Sequence, residues 1–305
     1  MRTALRLAMA PRPVVAEPRP DMRLWVMSDL AGEPEFQIPD PLPDFDAILV
    51  AGDVRRGLDA SLTWLAKTFD HVRRGRPLVL VPGDAELAGD TPLREAIAGG
   101  RKRARDLGIA LLCDDLVRLS GRDGRGVHVI GACLWTDWAL GYPCTASQAR
   151  AYARNAWPGE RQILLGRGRP LAPHDVSGLH ARSRAFIEDC LASIVVQAGG
   201  HGASPRTLVP GVRRGDRAVV VTHFAPSVSS LPPDIAARTW EPWRAAFLAS
   251  NLEAVMTRWG APALWLHGHV PRPVAYRLGD TRVVANPRGR AEHNRSFDPA
   301  LVLEV

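Results

Sequence analysis

The sequence predicts an α/β layered protein, and three observations predict it. Five short apolar runs, at 24–29, 47–53, 78–84, 218–223 and 263–269, end in Asp29, Asp53, Asp84, His223 and a His267-Gly268-His269 triplet. Continuous apolar runs closed by turn residues suit strands buried on both faces. Segments with helical spacing alternate with these runs in the first half of the chain, as α/β layering requires. The 305 residues, 46% hydrophobic and 23% charged, are enough for a large core.

The elements follow in order. Residues 1–22 read as a flexible leader rich in proline and arginine, with Met22 an alternative start directly before the first strand. Residues 1–10 resemble a signal peptide only superficially, because Arg6 interrupts the short apolar core. Residues 23–305 read as one domain, without repeat or linker. A proline-rich loop covers 33–44, after the Asp29 strand. Leu58, Leu62, Leu65 and Phe69 predict a helix over 58–69 with one apolar face. A second helix is expected over 93–107, then short strands at 109–112 and 116–119. The turn cluster 121–126 leads into a strand at 127–130. From 138 to 217 the pattern loosens around one helix at 177–196 and a glycine-rich loop at 199–202. A single helix is expected over 242–259, with closing strands at 274–278, 281–284 and 301–303.

Composition narrows the function classes. The net charge of +7 comes mostly from scattered arginines, without a basic helix or an aromatic nucleic-acid motif, so a nucleic-acid partner is not expected. No run is long and apolar enough for a membrane span. Cys113, Cys133, Cys144 and Cys190 form no CxxC pair and read as small buried thiols, which suits a cytoplasmic protein. The sequence leaves the oligomeric state open.

Acids and imidazoles at strand ends are what a metal site requires. Their order, acid, acid, acid in a turn, histidine, histidine, resembles the calcineurin-like metallophosphoesterase superfamily, above all its compact bacterial predicted phosphoesterases. The resemblance spans 22–305 and includes Leu134-Trp135-Thr136-Asp137, Thr222-His223-Phe224-Ala225-Pro226-Ser227 and Asn286-Pro287-Arg288-Gly289. It implies a four-layer α/β/β/α sandwich with two metals at the strand C-terminal ends. The family motifs are Asp-x-His, Gly-Asp, Gly-Asn-His-Glu or Asp, His, and Gly-His-x-His. Asp29, Asp53, His223 and His269 match. Asp84 replaces the asparagine, while Ala31, Ala85 and Pro271 stand where three histidines are expected.

The resemblance then implies one retained metal site, of Asp53, Asp84, His223 and His269, and one crippled site left with Asp29 and Asp53. Two imidazoles and two carboxylates suit zinc, manganese or iron, with one ion tight and a second weak or absent. Asp29, Asp53, Asp84, His223 and His269 are the expected catalytic residues, and Arg272, Arg55 and Arg288 the expected phosphate contacts, with Arg56 beside them. Glu33, Glu86, His267 or Asp137 could rebuild ligation or proton transfer, although His267 reads better as structural support. His71, His128, His174, His180, His201 and His293 read as surface, capping or supporting groups. The expected activity is hydrolysis of a phosphate mono- or diester, altered or slow, on a phosphorylated small molecule. The alternative is a non-catalytic protein of this fold that binds a phosphorylated ligand or partner.

Overall fold

The computed structural model describes residues 22–31, 35–121, 124–140, 144–156, 162–201, 208–236, 242–289, 294 and 296–305. The expectations on the leader before Met22, on Glu33, on Gly202 and on His293 lie outside the described residues. One sheet holds β1 (Arg23–Met27), β2 (Ala47–Val50), β3 (Leu78–Leu80), β4 (Ala110–Leu111) and β13 (Val302–Glu304), in the order β13-β1-β2-β3-β4. Its first four strands run parallel, and β13 is antiparallel to β1. Met22 and Val305 exchange two backbone hydrogen bonds beyond the end of that pair (3.1 and 3.0 Å).

The second sheet holds β5 (Asp115–Ser120), β6 (Gly126–Ala132), β9 (Arg217–Thr222), β10 (Leu264–His267), β11 (Val274–Leu278) and β12 (Thr281–Ala285), in the order β11-β12-β10-β9-β6-β5. Its four central strands are parallel, and the two edges are antiparallel hairpin partners. A small separate hairpin pairs β7 (Leu164–Gly166) with β8 (Arg169–Pro170).

Side-chain alternation along the strands builds the layers. Leu24, Val26, Leu49, Val79 and Val81 of the first sheet meet Val127, Val129, Val219, Val221, Leu264 and Leu266 of the second in one buried cluster. The alternate residues Trp25, Met27, Ile48, Val50, Val220 and Trp265 point outward into a second cluster shared with the helices. Leu58, Leu62, Leu65 and Phe69 of α1 (Leu58–Arg73) cover the outside of the first sheet, beside α2 (Asp84–Leu87) and α3 (Leu93–Asp106). Val176, Ile187, Leu191 and Ile194 of α5 (Pro173–Ala198), which packs on β6 and β9, cover the second. The result is the expected α/β/β/α sandwich. Each large apolar side chain removed from water this way contributes about 1.5–3 kcal/mol. The sheets approach so closely at Gly131 of β6 that an added Cβ would lie 2.3 Å from Leu112 Cβ and 2.8 Å from Val81 Cγ2.

The remaining helices depart most from expectation. α4 (Ala146–Ala156) and the β7–β8 hairpin occupy the stretch whose sequence pattern is loose. The helix expected over 242–259 is two short ones, α7 (Pro242–Leu248) and α8 (Glu253–Thr257), preceded by the short α6 (Pro233–Ala236). Between α7 and α8 the backbone turns to pair with the loop after His223: Ser250 N–H donates to Ala225 (3.0 Å) and Leu252 N–H to Pro226 (2.8 Å). The helix at 177–196 begins earlier, at Pro173, whose fixed φ suits a first helical position.

Candidate metal centre

All five expected ligands lie on turns that leave the C-terminal ends of parallel strands, where sheets of this kind gather their ligands. Asp29 follows β1, Asp53 follows β2, Asp84 follows β3, His223 follows β9 and His269 follows β10. Three of them are left-handed, with φ of 52° at Asp29, 57° at Asp53 and 63° at His269. Such residues cost of order 1–3 kcal/mol each and persist where the surroundings over-determine them. The surroundings here are cross-turn hydrogen bonds: Asp29 N–H to Gly52 (2.8 Å), Ala31 N–H to Asp53 (3.2 Å) and Gly268 N–H to His223 (3.0 Å), all to backbone carbonyls. Glycine is needed at the contact points. A Cβ on Gly83 would sit 2.3 Å from Asp53 Oδ1, and one on Gly268 2.7 Å from Asp29 Oδ2.

The side chains converge. His223 Nε2 lies 3.3 Å from both Asp53 Oδ1 and Asp84 Oδ1, and His269 Nδ1 lies 3.6 Å from Asp84 Oδ1. His269 N–H donates to Asp29 Oδ2 (3.2 Å), which ties the first acid to the last histidine. Two sets of donor atoms fall within 4.8 Å of one another: Asp84, His223 and His269, and Asp29, Asp53 and His223. Asp53 is the residue expected to be shared, yet the geometry puts His223 between the two sets. His223 Nδ1–H donates to the Ala51 carbonyl (2.8 Å), which fixes the ring and turns Nε2 toward the acids. Phe224 stacks on His269 with ring centroids 4.0 Å apart.

The donor set fits a cation. Nε2 of His223 and of His269 are buried and make no hydrogen bond among the described residues. A lone pair left in that state is costly unless a proton or a metal takes it. Burial works against a charged His223, but the Asp53 carboxylate, with Asp84 and Asp29, outweighs it and lifts the pKa to about 10. Burial raises Asp29 to about 7, with His223 pulling the other way. Burial lowers His269, and Asp84 opposes this. The acids thus favour a charged imidazole at a position where a divalent ion would balance them equally well.

Glu86 braces the centre. It is 1% exposed and accepts from Asp53 N–H (2.9 Å), Val54 N–H (2.6 Å), Gly83 N–H (2.8 Å) and the Ser61 hydroxyl (3.0 Å). Burial, then the nearby Asp53 charge, raises its pKa. Its two oxygens are occupied by holding the Asp53 and Asp84 turns together, so it is a brace in place of a rebuilt ligand. Its place three residues after Gly83, at the start of a helical turn, is the position from which a glutamate reaches back to the preceding backbone N–H.

The other expected residues are placed unevenly. Arg288 is buried; its N–H donates to Ser28 (2.9 Å) and its Nη1 to the Leu30 carbonyl (3.2 Å), on either side of Asp29. Arg272 donates from Nη2 to the Leu231 carbonyl (3.0 Å), and its Nε is buried without a hydrogen-bond partner among the described residues. Arg55 is engaged elsewhere, paired with Glu35 (2.6 Å) and lying over the Trp64 ring. His267 is a core histidine, with Nδ1 to the Gly268 carbonyl (3.0 Å) and Nε2 to Ser230 (2.8 Å), and burial lowers it to about 4. Asp137 lies 3.8 Å from Nε2 of the buried His180.

No protein-family model and no curated protein matches the chain. Among solved structures, the chain is similar to a phosphopantetheinyl hydrolase from Mycobacterium tuberculosis, at 18% identity and a TM-score of 0.62 over 92% of this chain and 95% of that one. A dimetal phosphatase from Danio rerio aligns over 87% of both chains at 8% identity, and its TM-score of 0.45 is too low to argue from. The likeness to the hydrolase is one of fold: the chain shares its α/β/β/α sandwich.

Proposed function

We propose that the chain is a metal-dependent phosphoesterase, folded as one domain over 23–305, that works from one well-formed divalent site. The observation that carries this reading is the convergence of the buried His223 and His269 imidazoles on Asp53 and Asp84, at 3.3 to 3.6 Å from their carboxylate oxygens. Asp53, Asp84, His223 and His269 would hold the ion, and imidazole with carboxylate suits zinc, manganese or iron. The bound ion would supply Lewis acidity toward a phosphoryl oxygen and toward attacking water. Asp29 would contribute weakly to a second position, because Ala31 and Pro271 add no donor there.

The chain's own groups do the rest. His223 is held by Ala51 and presents Nε2; Glu86 fixes the turns that carry Asp53 and Asp84. Arg288, bonded on either side of Asp29, and Arg272, three residues after His269, would be the phosphate contacts, since a guanidinium can take two phosphate oxygens at once. Ala85 offers no imidazole to protonate a leaving group, and the loss of such a group typically costs ~10²–10⁴ in rate. That absence also favours the second reading, a protein that binds a phosphorylated ligand without turning it over. Metal content and hydrolysis of bis-nitrophenyl phosphate decide between them. Bound metal lost in Asp84→Ala and His269→Ala, with hydrolysis falling in parallel, supports the enzyme. Metal retention by both variants, or full loading without any turnover, rejects it. Restoring histidine at Ala31, Ala85 and Pro271 together should raise the rate.

A further inference from the structure

A cavity of about 320 Å³ lies between α3 and α5; none of the five expected ligands lines it, but residues next to them in chain or packing do. Leu87, Cys133 and Trp135 line it, and each is linked to the centre through one intervening element or side chain. Leu87 closes the helical turn that Asp84 begins. The Cys133 carbonyl accepts the Phe224 N–H (3.1 Å), and the Trp135 ring lies 5.6 Å from Phe224, which stacks on His269. The lining is mainly apolar, with Leu93, Ile97 and Leu179, yet it also carries Arg94, Arg101 and Arg182 against one carboxylate, Asp114.

The charges are unevenly satisfied. Asp114 accepts from Ser183 (2.6 Å) and pairs with Arg182 (3.3 Å). Arg101 gives Nη2 to the Cys113 carbonyl (2.9 Å), pairs with Asp115 (3.5 Å), and keeps a buried Nε without a hydrogen-bond partner among the described residues. Arg94 is exposed and ion-pairs with no described residue. Two lining residues are left-handed without being glycine, Asp114 (φ 48°) and Trp135 (φ 58°), and Leu134 beside it is a third (φ 73°). Backbone strain of this kind concentrates at ligand sites.

We infer that this cavity receives the organic arm of the phosphoester, a mainly apolar chain of several carbons with an anionic end that reaches Arg94. The inference rests on the phosphoesterase reading and deepens it. The volume lies at the small end of the range for small-molecule sites, roughly 300–1,000 Å³, and apolar walls with a few placed polar groups are their usual make-up. Guanidinium groups at its edge match a terminal carboxylate or phosphate.

Calorimetric titration of the manganese-loaded full chain with methyl phosphate, hexyl phosphate and ω-phosphonooxyhexanoate tests it. Affinity should rise by about tenfold or more from the first ligand to the second, and again to the third. In Arg94→Glu the ratio between the last two should fall to one, and in Leu179→Trp the gain from the hexyl chain should shrink. Equal affinities for all three ligands in the unaltered protein overturn the cavity assignment and leave the phosphoesterase reading standing. Binding of hexanoate to the cavity with no binding of methyl phosphate to the loaded protein does the reverse. No binding by any ligand overturns both.

Discussion

At Glu86 one carboxylate answers for four donors, and the consequence belongs to that residue. Glu86→Ala would leave three backbone N–H groups buried without acceptors, at about 1–3 kcal/mol for each, while the Ser61 hydroxyl keeps the Arg55 carbonyl (3.0 Å). We expect stability in urea lowered by on the order of 3 kcal/mol or more, with metal content falling too, since Asp53 and Asp84 lose their brace. A second expectation concerns protons. In the metal-free protein His223 titrates at about 10 against its ordinary 6.5. The folded state therefore binds this proton more tightly than the unfolded one. Its contribution is complete below about 6.5 and is lost as pH rises through 10. Asp29, raised from 3.8 to about 7, works in the same direction between those two values. His267, lowered to about 4, opposes them only below 6.5. Metal-stripped protein should therefore melt at a lower temperature at about pH 9 than at about pH 7, and metal affinity should rise over the same interval with proton release. A melting temperature for the stripped protein that does not fall between these pH values would show that His223 carries no such proton.

Elements differ in how plainly the sequence announces them. The five strands that lead into the ligands, β1, β2, β3, β9 and β10, are legible because each is a run of large apolar residues cut off by a turn and a chemically distinctive residue. α4 is not, because Ala149 and Ala153 are its buried positions and small residues four apart leave no large apolar stripe to read. The break between α7 and α8 is decided by Ala225 and Pro226, well outside the segment itself, so no local pattern encodes it. In the centre, the ligand positions are legible from type and order. The bracing by Glu86 is less so, because its donors come from three separate segments. The close approach of β6 to the first sheet is likewise tertiary. Gly131→Val should force Leu112 and Val81 apart and destabilise by about 1–3 kcal/mol, measured by chemical denaturation, the usual cost of overpacking a filled core. A neutral result would mean that the sheets slide apart freely at this edge.

For the whole molecule, the centre draws Asp29, Asp53 and Asp84 from one sheet and His223 and His269 from the other, so a bound ion would clamp the two halves of the sandwich. Thermal unfolding should report this: free metal at about 100 times its dissociation constant adds about 2.7 kcal/mol, and chelation should remove it. No metal-dependent shift in melting temperature would mean that the two sheets are held by packing alone. Among the described residues no helix is long and apolar enough to cross a membrane. The latch between Met22 and Val305 carries a different consequence. Because these residues face one another across two antiparallel strands, a short turn could join Val305 to Met22 in a variant without residues 1–21, and the chain could be reopened at the exposed Gly211. Surface loops of this kind tolerate such cuts. The order in which the strands are threaded would then change, while every neighbour in both sheets, and every turn around the centre, stays the same.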